Sequence, residues 1–248
     1  MSVVDLKLNE LVSQNYIYAS VLHYFGIQFY NYSENTLAEV CLSKGLNVRQ
    51  VIQSLEDVHR KTHQEISLIN YPVDLIIQYL KHSHFIFIQR KLPYMARLIE
   101  DLEIEKIGKP HLVRDLQLLF PLFVEDFIHH IHEEEDTFFK YILILHQASL
   151  GKYQVTQLYQ EMEQNSLQYF VLDHHTHDDE MSGIREITNN YELSPQASLH
   201  LKVLFSELKS LETELINHAK IEDEILCVKA LKLEMLVKTM LKQKIKFN

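Results

Sequence analysis

Leu201-Lys-Val-Leu-Phe-Ser-Glu-Leu208-Lys-Ser-Leu-Glu-Thr-Glu-Leu215-Ile-Asn-His218-Ala-Lys-Ile-Glu222-Asp-Glu-Ile225 carries the pattern that decides the fold. Steps of three and four residues from Leu201 give Leu204, Leu208, Leu211 and Leu215, the apolar stripe of a helix with one buried face. The same steps then reach His218 and Glu222 before apolar Ile225 returns. A carboxylate on a buried face costs on the order of several kcal/mol unless it is paired or coordinated. The stripe therefore predicts both a helix and a partner for its acid.

Three other stretches behave alike. Phe120, Phe123 and Phe127 lead to His130 and Glu134, followed by Phe138 and Tyr141. Val73, Ile77 and Leu80 lead to His84, followed by Phe87, Lys91, Met95, Leu98 and Leu102. Leu167 and Phe170 lead to His174 and His177, followed by Met181, Ile184, Thr188 and Tyr191. The helical patterns run over 72–103, 112–146, 155–191 and 195 to about 226. Gly108-Lys109-Pro110, Ser149-Leu150-Gly151 and Leu193-Ser194-Pro195 separate them. Ser194 as N-cap before a first-turn Pro195, and Pro72 with Asp74 in the next turn, are helix-start signals. Four long helices with short connections predict an all-α, up-down-up-down four-helix bundle over 71–248. Before it, residues 1–57 read as a small domain of short helices broken at Gly26 and Gly45, and 58–70 read as a linker.

Composition agrees with this reading. Five glycines and five prolines in 248 residues are too few for a turn-rich all-β protein. A formal charge of −10 argues against a nucleic-acid partner, which requires a basic surface to neutralise phosphates. No apolar run approaches membrane-spanning length, and the opening Met1-Ser-Val-Val-Asp-Leu-Lys-Leu-Asn-Glu10 mixes charges instead of forming a leader. Cys41 and Cys227 are too far apart in sequence to read as a disulfide framework. Together these features predict a cytoplasmic protein.

The fifteen histidines stand out, because neutral imidazole is a common metal ligand. A single His-x-x-x-Glu match is weak evidence, and the chain holds three, at His129/Glu133, His130/Glu134 and His218/Glu222. Two of these pairs lie on core stripes, and the other two helices carry stripe histidines of their own. Imidazoles and carboxylates converging in one bundle core would repel or go unsatisfied without bound cations. A donor set free of thiolate suits iron or manganese, and also zinc. Each of Glu134 and Glu222 has two oxygens with which to bridge a metal pair. The candidate ligands are His84, His130, Glu134, His174, His218 and Glu222, with His177 as an alternative ligand or hydrogen-bond donor to one. His82, His129, His132, Glu133 and His175 fall off the stripes, and His59 and His63 read as surface residues.

These stretches resemble the repair-of-iron-centres family, di-iron proteins built on hemerythrin-like bundles. His130-Ile-His-Glu-Glu134-Glu-Asp-Thr-Phe-Phe139 is similar to the family's histidine, three residues, paired acids and apolar continuation. His218-Ala-Lys-Ile-Glu222-Asp-Glu-Ile-Leu226 repeats the theme, Asp173-His174 and Gly183–Tyr191 resemble the third-helix pattern, and Leu92-Pro93 closes a segment like the first. Phe25–Phe29 and Thr36–Cys41 are similar to the family's small N-terminal domain. Three departures stand beside the likeness. Tyr30-Asn31 occupies the place of an adjacent cysteine pair, and Leu226-Cys227-Val228 replaces a Leu-Phe-Pro. The family's first-helix histidine falls at Phe85, whereas the apolar stripe favours His84, with His82 as the fallback.

The resemblance implies a non-haem centre of two irons, bridged by Glu134, Glu222 and an oxo or hydroxo group. Its terminal ligands would be His84, His130, His174 and His218. It implies repair of iron–sulfur clusters damaged by nitrosative or oxidative stress, through iron donation or nitric oxide handling, so a repair or redox activity more than a turnover enzyme. The expected partners are damaged or apo iron–sulfur proteins and small gases, and a homodimer is compatible with the reading. The alternative on the same bundle is reversible binding or sensing of dioxygen or nitric oxide.

Overall fold

The computed structural model is all-α: among the described residues it contains helices, turns and one isolated antiparallel bridge, Lys7 to Thr36, but no strand. The described residues are 3–60, 68–165, 167, 170 and 179–246, with the side chains of 58–60 and 244–246 excepted. No helix among them is long and apolar enough to cross a membrane. The N-terminal helices are α1 (Leu8–Gln14), α2 (Ile17–Tyr24), α3 (Leu37–Ser43) and α4 (Val48–Arg60). There follow α5 (Val73–Ile86), α6 (Leu92–Glu100), α7 (Ile104–Ile107), α8 (Pro110–Glu133) and α9 (Lys140–Ser149). The remainder are α10 (Val155–Gln164), α11 (Ser182–Ile187), α12 (Leu199–Ile221) and α13 (Val228–Lys246). Three π-helical turns, Phe87–Lys91, Glu134–Phe139 and Glu222–Cys227, join α5 to α6, α8 to α9 and α12 to α13.

The chain groups into two compact units, Met1–Glu65 with Lys91–Phe120 and Gly183–Leu211, and Ile66–Arg90 with Pro121–Ser182 and Glu212–Asn248. In the first, α3 starts with a capping box: Thr36 Oγ1 accepts the Glu39 N–H, and the Glu39 carboxylate accepts the Thr36 N–H at 2.9 Å. Leu8, Leu11, Leu22, Ile27, Leu37 and Val51 fill the interior beneath these short helices. Tyr30 donates to Asp101 Oδ2 at 2.6 Å and stacks on the His200 ring, with centroids 4.1 Å apart.

In the second unit, one apolar cluster draws Ile77 and Leu80 from α5, Tyr141, Ile142 and Leu145 from α9, Leu158 from α10, and Ala230 and Val237 from α13. The helices enclose it because each has a single apolar stripe to bury. Tyr141 crosses this interior and donates to the buried Glu234, which also accepts from Lys238 at 2.8 Å.

Boundaries differ from the sequence expectation in ways that local chemistry explains. The last helix starts at Leu199, not Pro195, because Ser198 Oγ accepts the Leu201 N–H while Ser194 is spent on a turn to Ala197. It also continues past Leu226 to Lys246, since Ala230, Val237 and Leu241 carry the buried stripe onward. The third pattern is not one helix: α10 stops where Asn165 turns extended and its amide bonds the Glu161 carbonyl. α11 ends before Tyr191, at three successive left-handed residues, Asn189, Asn190 and Tyr191. The separators Gly108 and Gly151 both take positive φ, 68° and 73°, a backbone state open to glycine at little cost.

Candidate metal centre

α5 ends one residue pair past His84, and α12 has His218 in its last turn. Glu134 and Glu222 are each the first residue of a π turn. One ligand atom from each of His84, Glu134, His218 and Glu222 lies within 4.8 Å of the others, all in the second unit. The burial is deep: His84 and Glu222 are each 2% exposed and Glu134 is 6% exposed. His84 Nε2 lies 2.8 Å from His218 Nε2 and 3.4 Å from Glu134 Oε2, and His218 Nε2 lies 2.9 Å from Glu222 Oε1.

The hydrogen bonds fix the state of His84. Its Nδ1 is 2.9 Å from Glu135 Oε1, so the ring proton sits there and donates, leaving the Nε2 lone pair aimed into the group. Phe139 stacks on the same ring at an interplanar angle of 4°, and Phe87 meets the His218 ring edge-on. Burial first, then the neighbouring His218, push the His84 imidazole down to about 4, so it is neutral as a ligand must be. Burial and then the facing Glu222 hold the Glu134 carboxyl well above the usual carboxylate range. Glu135 behaves oppositely. Burial raises its carboxyl, but hydrogen bonds from Lys81 and His84 outweigh burial and leave it below its ordinary value.

This donor set fits a cation. Two buried carboxylates face each other, and a lone pair of His84 points at one of them. Only shared protons or a bound ion relieve that arrangement. Two imidazoles and two carboxylates suit a divalent iron, manganese or zinc ion.

The other sequence candidates fall as follows. His130, one turn before Glu134, is half-buried with Nε2 4.0 Å from Glu180 Oε1, and it stands outside the group of four. His174 and His177 lie outside the described residues, as do His175, His63 and the side chain of His59. His82 and Phe85 are exposed, whereas His84 points inward. His129, His132 and Glu133 are exposed, as their off-stripe positions require. Sequence reasoning did not single out Glu135, Lys81 or Glu180. The only available signal was the acid run after each stripe glutamate, Glu134-Glu135-Asp136 and Glu222-Asp223-Glu224. No protein-family model matches the chain, and no curated protein matches it.

Proposed function

We propose that this chain is a hemerythrin-like bundle protein with a two-iron centre that serves the repair of iron–sulfur clusters damaged by nitrosative or oxidative stress. The observation that carries the reading is the buried group of His84, Glu134, His218 and Glu222 inside a helical core. A second feature supports a pair of ions over a single one. His130-x-x-x-Glu134 and His218-x-x-x-Glu222 are alike in sequence, and each glutamate opens a six-residue π turn. By that sequence likeness His130 is the counterpart of His218, and it would serve a second ion by turning from Glu180 toward Glu134. In this reading Glu134 and Glu222, with His84, His130, His174 and His218, would hold the two ions. Bound iron supplies one-electron chemistry toward nitric oxide and dioxygen, together with iron that can be donated to an apo-cluster. The protein's part is to keep the four donors dry, neutralise the facing carboxylates and exclude water through Phe87, Phe127 and Phe139.

The test is iron content under anaerobic purification for wild type and for Glu134→Ala with Glu222→Ala. Two irons per chain are expected in the wild type and none in the double variant. Full iron in the double variant overturns the ligand assignment. Reactivation of a nitric-oxide-treated iron–sulfur enzyme by the loaded protein then tests the repair role.

One observation favours the second reading, a reversible binder or sensor of dioxygen or nitric oxide. At the position of the family's cysteine pair, the Tyr30 phenol is committed to Asp101 and to the His200 ring, and it supplies no thiol. A reversible spectral change with gas, without cluster reactivation, selects this reading.

A further inference from the structure

Glu135 has two carboxylate oxygens, and they do different things. Oε1 accepts the Nδ1–H of His84 at 2.9 Å, and Oε2 lies 2.8 Å from the Lys81 ammonium. Two anchors on one carboxylate fix its rotation as well as its position, and Lys81 stands one turn before His84 on the same helix. The opposite constraint on the imidazole is the face of Phe139, which is parallel to it. The ring is thus set in plane by an aromatic neighbour and in tautomer by a carboxylate.

We infer that Glu135 is the positioning residue for His84, and that Lys81 holds Glu135 in place, so that Lys81, Glu135 and His84 form one chain ending at the metal. The inference rests on the metal reading above. Its physical basis is that a histidine ligand must present a lone pair on the metal side, and the acceptor on its far nitrogen decides which nitrogen that is. Without an acceptor at Nδ1 the proton is free to move to Nε2, where it blocks ligation. The outer end of the chain opens on a groove of about 350 Å³ lined by Lys81, Glu135, Phe139, Lys140 and Tyr153. Lys81 is 44% exposed there and Glu135 23%. The Lys81 contact is therefore screened and weak, and the Glu135 contact to the 3%-exposed His84 side chain is the strong one.

This ordering gives a graded prediction. Removing an outer carboxylate from a histidine ligand weakens metal binding roughly ten- to a hundredfold. Removing an exposed ion pair changes it by no more than about fivefold. The experiment titrates zinc and cobalt(II) into wild type, Glu135→Ala, Glu135→Gln and Lys81→Met, with chelator competition for affinity. Nitrogen-15 spectra of the zinc-loaded proteins report which nitrogen of His84 carries the proton. Expected are the whole roughly ten- to hundredfold weakening in Glu135→Ala, a smaller one in Glu135→Gln, whose amide oxygen still accepts, and the smallest in Lys81→Met. The Nδ1–H signature of His84 should weaken in the same order. Unchanged affinity and an unchanged His84 tautomer in Glu135→Ala overturn the inference. Glu222→Ala separates the two levels: if it binds zinc like wild type, the metal reading itself fails. If it loses zinc while Glu135→Ala does not, only the positioning role fails.

Discussion

Glu134→Gln should have opposite effects on the fold and on the metal, and the sign changes with pH in a calculable way. In chelator-treated protein, the Glu134 carboxyl is held above its ordinary 4.5 by burial and by Glu222. A folded value raised above the unfolded one gives stability that is complete below 4.5 and is lost as pH rises toward the folded value. The loss is about 1.4 kcal/mol per pH unit. His84 runs the other way. Its folded value, pushed down from 6.5 to about 4, gives stability that is complete above 6.5 and lost as pH falls toward 4. Above pH 4.5 the two slopes oppose each other in the wild type for as long as Glu134 stays protonated. Replacing Glu134 by a neutral amide removes one slope and exposes the other. The stability of Glu134→Gln should therefore climb with pH between 4.5 and 6.5 by up to about 1.4 kcal/mol per pH unit, more steeply than that of the wild type.

Urea unfolding at pH 4.5, 5.5 and 6.5 in excess chelator measures this directly. The same variant should bind zinc or iron(II) far more weakly, because it lacks one anionic donor. A more stable shell with a poorer site is the expected trade when a cluster is retained for ligation. Parallel pH profiles for wild type and variant in chelator would refute the argument, since they would mean that Glu134 is not held protonated by its surroundings.

Three further expectations follow from single contacts. His218→Ala should abolish tight metal binding while His82→Ala leaves it intact, because the first imidazole is within the group of four and the second is exposed; equal losses by metal titration would contradict the site. Tyr141→Phe leaves the buried Glu234 with Lys238 alone and should cost about 1–3 kcal/mol in denaturant unfolding, with metal affinity unchanged. Cys41 and Cys227 are buried, and burial followed by Asp223 pushes the Cys227 thiol up to about 12, so a maleimide should label both only after unfolding. Native-state labelling at the unfolded rate would contradict that burial.

Helical class, three of the four long segments and the convergence of His84, Glu134, His218 and Glu222 were legible because a 3.6-residue period leaves a direct trace in apolar spacing. His84 could be preferred over His82 and the position of Phe85 on that ground, and the structure buries it while both others are exposed. What the period does not encode is which helices meet, so the contact of Glu135 with His84, 51 residues earlier, left no mark in either segment. Helix ends were also poorly legible. Ser194-Pro195 carries a strong start signal, yet Ser198 wins the cap because the apolar stripe begins only at Leu201.

The π turns account for the rest. Counting by three and four from His84 puts Lys91 inward, yet Lys91 is half-buried and Leu92 is buried. Counting onward from Glu222 puts Ile225 inward, yet Leu226 and Cys227 take that place. An i→i+5 turn adds one residue locally, so Leu92 is buried beside the counted position while Met95 and Leu98 stay buried, and after Glu134 both Phe138 and Phe139 are buried. In the first case Pro93 supplies a local cause, since its ring clashes with the carbonyl four residues back and it has no N–H to give. In the other two no proline intervenes: the turns begin at Glu134 and Glu222 themselves. A π turn weakens local backbone hydrogen bonding, so it persists where something compensates, and such turns concentrate at functional sites. Here two of them start at the acids of one buried cluster, and the third starts three residues after its histidine.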